Sequence, residues 1–210
     1  MINFKYSIPT VIHFGKNQIE KLTEEIPKYG KRILLVYGQS SIKKQGIHAK
    51  VISILEKENI KHFELAGIQP NPRISSVRDG IRICNKEDID FILAIGAGSA
   101  IDCAKAIAVA CFYDGDPWDF YKGKVQVEKA LPLGTILTLA ATGSEMNGNS
   151  VISNEETLEK TAISSPLLKP KFSILDPTYT MTVPQEQTAA GTVDIMSHTF
   201  EQYFSPVKNT

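Results

Sequence analysis

Asp194 and His198 stand four residues apart in the run Gly191-Thr192-Val193-Asp194-Ile195-Met196-Ser197-His198. On a helix that spacing puts a carboxylate and an imidazole on one face, one turn apart. An oxygen donor and a nitrogen donor so placed can chelate a divalent metal ion. They can equally form a surface pair that lends the helix about 0.2–0.5 kcal/mol. Two donors fall short of the three or four that hold a metal firmly. The neighbouring Val193, Ile195, Met196 and Phe200 imply that much of this helix is buried, where an acid needs a partner. The other histidines read as structural: His13 in a strand pattern, His48 on a helix, His62 at the start of a strand.

A second chemistry is suggested by Ile95-Gly96-Ala97-Gly98-Ser99-Ala100-Ile101-Asp102. Placed between a strand and a helix, glycines let backbone approach a ligand, and the free amides of the helix start attract a diphosphate. Ser99 adds a hydroxyl donor. Asp102 is expected in the first helical turn, where a carboxylate suits the dipole. Ile101 stands where the third glycine of a dinucleotide fingerprint would be. A tight strand–helix turn without any ligand would use the same residues. Gly38-Gln39-Ser40-Ser41 follows an earlier strand in the same manner, as a nucleotide turn or a plain polar loop. No Asp or Glu occupies positions 38 to 42, so an acceptor for a ribose 2′-hydroxyl is missing there. Lys43 and Lys44 are available to a 2′-phosphate, which leans towards NADP over NAD.

These turns require elements to hold them. Short apolar runs at residues 31–38, 62–65, 91–95, 133–139 and 172–177 read as buried strands. Between them, Ile47, Val51, Ile54 and Leu55 mark a helical face, as do Ile74, Val77 and Ile81, and residues 100–110 form an Ala-rich helix. Pro70 and Pro72 break the chain between the second strand and its helix. The alternation predicts right-handed crossovers and a parallel sheet covered on both faces. Residues 150–165 read as a surface hairpin turning at Asn154-Glu155-Glu156. Thr182-Val183-Pro184-Gln185 supplies a helix start, with Thr182 as cap and Gln185 at the capping-box position. The helix then runs to Phe204, kinked or interrupted near Gly191.

The 210 residues carry 23 basic and 23 acidic side chains, a balance that argues against a nucleic-acid or anionic-membrane binder. The three cysteines, Cys84, Cys103 and Cys111, are sparse and lack metal spacing, as expected of core thiols in a reducing compartment. Residues 1–6 carry no apolar signal core, and no stretch reaches membrane-spanning length. The expected location is cytoplasmic.

In their order and spacing these features resemble the iron-containing alcohol dehydrogenase family, in particular its butanol dehydrogenase-like branch, from Tyr6 to about Phe204. Residues 9–15 look like its opening strand, Pro70-Asn71-Pro72 like its P-N-P turn, and Gly96 to Asp102 like its G-G-G-S-x-x-D turn. Residues 138–147 are similar to its T-x-x-x-T-G-S-E segment. Asp176-Pro177 and residues 187–191, followed by Asp194 and His198, resemble its approach to the metal.

The resemblance implies an α/β, Rossmann-like domain with a parallel sheet over residues 1–182. Residues 183–210 would begin an all-helical metal-binding domain. It implies NAD or NADP bound by Asn71, Gly98, Ser99, Asp102, Thr138, Thr142, Asn149 and Lys160, with Gly38, Gln39, Ser40, Gly96, Ala97 and Leu139 in the flanking turns. The metal, Fe2+ or alternatively Zn2+, would take one Asp and three His. Asp194 and His198 match the first two, and the others are expected beyond residue 210, so the chain reads as an N-terminal fragment with little turnover. The implied reaction is hydride transfer between a small alcohol or aldehyde and the cofactor, with the metal as Lewis acid and no protein base assigned. A homodimer is among the implied assemblies. Gln39 and Ser40, and Ala97, replace glycines of the branch and are expected to crowd the diphosphate. A non-catalytic dinucleotide-binding remnant, or a zinc enzyme like glycerol dehydrogenase or dehydroquinate synthase, are the alternatives.

Overall fold

Six short strands line up side by side, each parallel to its neighbours, in the computed structural model, which describes residues 7–205. Residues 1–6, and residues 206–210 of the expected metal-binding domain, lie outside the described residues. The strands of this sheet are β1 (Val11–Phe14), β2 (Arg32–Tyr37), β3 (Lys61–Leu65), β4 (Phe91–Gly96), β5 (Leu133–Leu137) and β8 (Phe172–Leu175), in the order β1-β8-β5-β4-β2-β3. Between β5 and β8 the chain makes an antiparallel hairpin, β6 (Asn149–Asn154) and β7 (Glu159–Ser164). The helices are α1 (Leu22–Glu25), α2 (Ser41–Lys44), α3 (Ile47–Lys57), α4 (Ile74–Lys86), α5 (Gly98–Ala110), α6 (Trp118–Tyr121) and α7 (Gln185–Phe204).

Both faces of the sheet are covered, and the period-two alternation of strands decides which residue goes where. From β2 and β4, Leu34, Val36, Ile92 and Ala94 join Ile74 and Val77 of α4 and the apolar side of α5 in one core. Ile33, Leu35, Phe91, Leu93 and Ile95 join Leu22 of α1 and Val51 and Leu55 of α3 in the other. Phe91 and Phe172 stack there with centroids 5.8 Å apart. All three thiols are free, with Cys84 and Cys103 buried.

The helix after β2 thus lies on one face and the helix after β4 on the other. From β2 the chain moves outward to β3, and from β4 it moves the opposite way to β5. Such a reversal leaves a crevice at the carboxyl ends of β2 and β4, where open α/β sheets bind ligands.

Four expectations are corrected. The hairpin is not merely superficial: Ser150, Ile152 and Asn154 of β6 are buried, and Ser150 Oγ donates to Asp102 O at 2.7 Å on α5. Thr182 does not cap the last helix. Pro184 occupies that position with an extended ψ of 143°, and the Thr182 hydroxyl instead accepts from Gln45 Nε2 at 2.6 Å. The helix also runs unbroken through Gly191, because one glycine costs only about 1 kcal/mol inside a helix. Finally, none of its residues is buried. Val193 is 65% and Phe200 51% exposed, because no described element packs over that face. Among the described residues no helix is long and apolar enough to cross a membrane.

Candidate functional site

The crevice at the switch point holds about 850 Å³. Its floor is the turn after β4. Gly96 has φ +154°, a conformation that side chains rarely adopt, and a Cβ there would lie 3.1 Å from Ala100 Cβ. Ala97 is extended and forms the N-cap position of α5 without any side-chain cap. As first residues of a 13-residue helix, Gly98 and Ser99 carry amides with no intrahelical acceptor. An uncapped helix start behind a glycine turn attracts an anion.

Gly38, Gln39, Ser41, Ile42 and Gln45 form one wall, Thr138 and Leu139 after β5 another, and Gln187, Ala190, Gly191 and Asp194 of α7 face them. Gln39 and Ala97, expected to crowd a diphosphate, do line the crevice. Ser40 instead occupies the N-cap position of α2 and is not among the lining residues. The Lys43 ammonium sits 5.4 Å from the centroid of the Tyr37 ring at the end of β2. Ile42, Gln45, Pro70 and residues 182–184 also line the space, and sequence reasoning missed all of them as site residues.

A second pocket of about 460 Å³ adjoins the first, with Asp194 in both. Thr142 and Asn149 face Asp194, Ile195, His198, Thr199 and Gln202 across it. Asp194 Oδ1 and His198 Nε2 are 3.8 Å apart, and Glu201 Oε2 is 3.6 Å from His198 Nδ1. Both members of the Asp–His pair are more than half exposed. A carboxylate and an imidazole suit a divalent first-row ion. Among the described residues, however, no group of three or more such ligands comes together, so the pair by itself falls short of a metal site.

Besides Ser40, and Gly98 at the start of α5, three more expected cofactor residues line neither pocket: Asn71, Asp102 and Lys160. Asn71, with φ 56°, accepts from Lys160 Nζ at 2.7 Å, which ties the P-N-P turn to β7, and neither lines the pockets. Asp102 is not in the first turn of α5: the helix begins at Gly98, which makes Asp102 its fifth residue. Its carboxylate accepts from Ser144 Oγ at 2.6 Å and Val151 N at 3.1 Å. Burial raises its pKa against the opposing effect of these bonds and of Lys105.

Lys105, also missed, is fully buried on the same helix. Its ammonium donates to Ser144 O, Ser144 Oγ, Asn147 O, Asn147 Oδ1 and Asn149 O at 2.7–3.1 Å. Burial lowers its pKa to about 8, with Asp102 and Glu145 opposing. A lone lysine in the run Ile101-Asp102-Cys103-Ala104-Lys105-Ala106-Ile107 was the available clue, since a cation on an apolar helix face must be buried with partners.

The model of the iron-containing alcohol dehydrogenase family matches residues 9–177. The chain belongs to that family. It is 56% identical over 208 residues to NADH-dependent butanol dehydrogenase A of Clostridium acetobutylicum, covering 99% of this chain and 54% of that protein. To the NADPH-dependent aldehyde reductase YqhD of Escherichia coli it is 41% identical over 206 residues, covering 97% and 52%. The crystal structure of an NADH-dependent butanol dehydrogenase A from Thermotoga maritima superposes with a TM-score of 0.92 at 46% identity, over 96% of this chain and 51% of that one. The chain therefore spans about half the length of these alcohol dehydrogenase family relatives.

Proposed function

We propose that this chain supplies the dinucleotide-binding part of an oxidoreductase that interconverts a small alcohol and its aldehyde with NADH or NADPH. One observation carries the reading: the uncapped, glycine-preceded start of α5 opens into a switch-point crevice that Asp194 joins to the Asp194–His198 pocket. The diphosphate would lie against the Gly98 and Ser99 amides. Thr138 and Leu139, then Thr142 and Asn149, would line the path of the nicotinamide end, which when bound supplies or accepts the hydride. Asp194 and His198 would hold a divalent ion, iron or zinc, which when bound polarises the alcohol or carbonyl oxygen. Two donors alone hold an ion poorly, so little turnover is expected from these 210 residues by themselves.

We further take residues 1–182 as the nucleotide domain and 183–210 as the first part of a helical metal-binding domain. The relatives named above favour this over the glycerol dehydrogenase- or dehydroquinate synthase-like alternative, and both NADH- and NADPH-dependent relatives leave either cofactor admissible. The test is titration of the purified chain with NADH and NADPH, following energy transfer to the cofactor, with and without Fe2+ or Zn2+. Saturable binding supports the reading. A folded chain that binds neither cofactor refutes it and favours a remnant without nucleotide function.

A further inference from the structure

A fully buried ammonium on an otherwise apolar helix face is costly, because removing the charge from water outweighs what packing a methylene chain returns. Met or Leu would fill the Lys105 position with less penalty. What distinguishes lysine there is the set of atoms it gathers. All five oxygens around Lys105 Nζ come from one stretch, residues 144–149, and three of them are main-chain carbonyls, of Ser144, Asn147 and Asn149. This stretch has no ladder of its own before β6 begins at Asn149.

Asp102, one turn earlier on α5, takes up the rest. Its carboxylate accepts from Ser144 Oγ and Val151 N, and its carbonyl from Ser150 Oγ at 2.7 Å. Asn147 passes the constraint on. Its Oδ1 accepts from Asn149 N at 2.9 Å, and its Nδ2 donates to Thr142 O at 3.2 Å. Thr142 and Asn149, with Ala141, face Asp194 and His198 across the second pocket, and they carry its polar side chains on that wall.

We propose that Lys105 is a positioning residue: it fixes residues 142–151 against α5, and so sets Thr142 and Asn149 opposite Asp194 and His198. The same helix begins at the glycine turn, so the anion end of the crevice and the wall of the second pocket share one rigid element. The inference deepens the reading given above, resting on it for the claim that the second pocket receives the reacting end of the dinucleotide.

The experiment compares the wild-type chain with Lys105→Met by amide hydrogen exchange, and by affinity for NADH and for ADP, which lacks the nicotinamide end. In the variant, exchange within 142–151 should rise on the order of 100-fold, equivalent to about 2.7 kcal/mol at 1.36 kcal/mol per decade, while amides of β2 and β4 keep their rates. NADH affinity should fall on the order of 10-fold with ADP affinity unchanged. If Lys105→Met does not fold, Asn147→Ala removes one acceptor and the bond to Thr142, and should raise exchange in the same segment to a smaller degree. Unchanged exchange in 142–151, or an equal rise throughout the sheet, overturns the proposal. If the wild-type chain binds neither NADH nor ADP, the dehydrogenase reading fails, and the exchange comparison still decides what Lys105 holds.

Discussion

Substituting Gly96 by alanine tests the central turn most directly. Two costs arise at once. A side chain at φ +154° is strained by about 1–3 kcal/mol. The new Cβ also lies 3.1 Å from Ala100 Cβ, so the first turn of α5 must move by a few tenths of an ångström. Together these predict a loss of about 2 kcal/mol, or a fall in Tm of about 4–8 °C for a domain of this size. The displaced turn carries the Gly98 and Ser99 amides, and such helix starts contribute up to about 2 kcal/mol towards an anion. Losing half of that weakens NADH binding about fivefold.

Gly123→Ala provides the control. Its φ is +68°, no atom lies within 4 Å of the built Cβ, and it is remote from both pockets. It should lose about 1 kcal/mol and keep its affinity for NADH. The assay is a thermal melt together with a fluorescence titration on each variant below its melting range. Equal NADH affinity in Gly96→Ala and Gly123→Ala would remove this turn from the ligand site. A Gly96→Ala protein as stable as wild type would refute the backbone argument itself.

Other outcomes follow from the same geometry. Because burial lowers Lys105 to about 8 from an ordinary 10.5, the unfolded chain binds the extra proton between those values, and the stability attributable to this residue rises with pH across that window. The unfolding free energy of wild type relative to Lys105→Met should therefore increase from pH 7.5 to pH 9.5 in urea titrations, and a decrease would contradict the assigned shift. Asp194→Ala and His198→Ala should each remove the weak Zn2+ binding that two donors support, read at millimolar metal, while changing stability by less than about 0.5 kcal/mol, since both side chains are more than half exposed. Replacing Lys43 and Lys44 together by alanine should weaken NADPH about fivefold and leave NADH unaffected, the cost of about 1 kcal/mol for a screened contact to a 2′-phosphate. Equal losses for both cofactors would place these lysines away from the ribose.

The middle of the sheet was legible in the sequence because its inner strands are buried on both faces. Arg32–Tyr37 and Phe91–Gly96 are short apolar runs closed by glycine, and nothing else reads that way. Helix faces at Ile47 to Leu55 and at Ile74 and Val77 were equally plain, since the 3.6-residue period is strong where a helix covers a sheet. The last helix misled for the same reason. Val193, Ile195, Met196 and Phe200 have the composition of a buried face, and composition does not say which element provides the cover. Its start was misplaced because Thr182 satisfies a capping pattern locally while its hydroxyl is engaged by Gln45, 137 positions away in sequence.

The site divides along the same line. The glycine turn and the Asp194–His198 pair are local patterns, visible in a window of a few residues. Lys105 is legible only as an anomaly, a charge within an apolar helix, and Asp102 was read as part of the glycine turn, because the partners of both lie some 40 residues further on, in the loop before β6 and the strand's first residues. A glycine turn shows where an anion can sit, but not what aligns the far end of a long ligand with the Asp194–His198 pair on another helix. On the proposal made above, that alignment depends on one turn of α5, where a buried cation and a partly buried carboxylate together fix the segment that carries Thr142 and Asn149. Charges on α5 that a folding argument alone would replace with apolar residues are thus accounted for by the geometry of the second pocket.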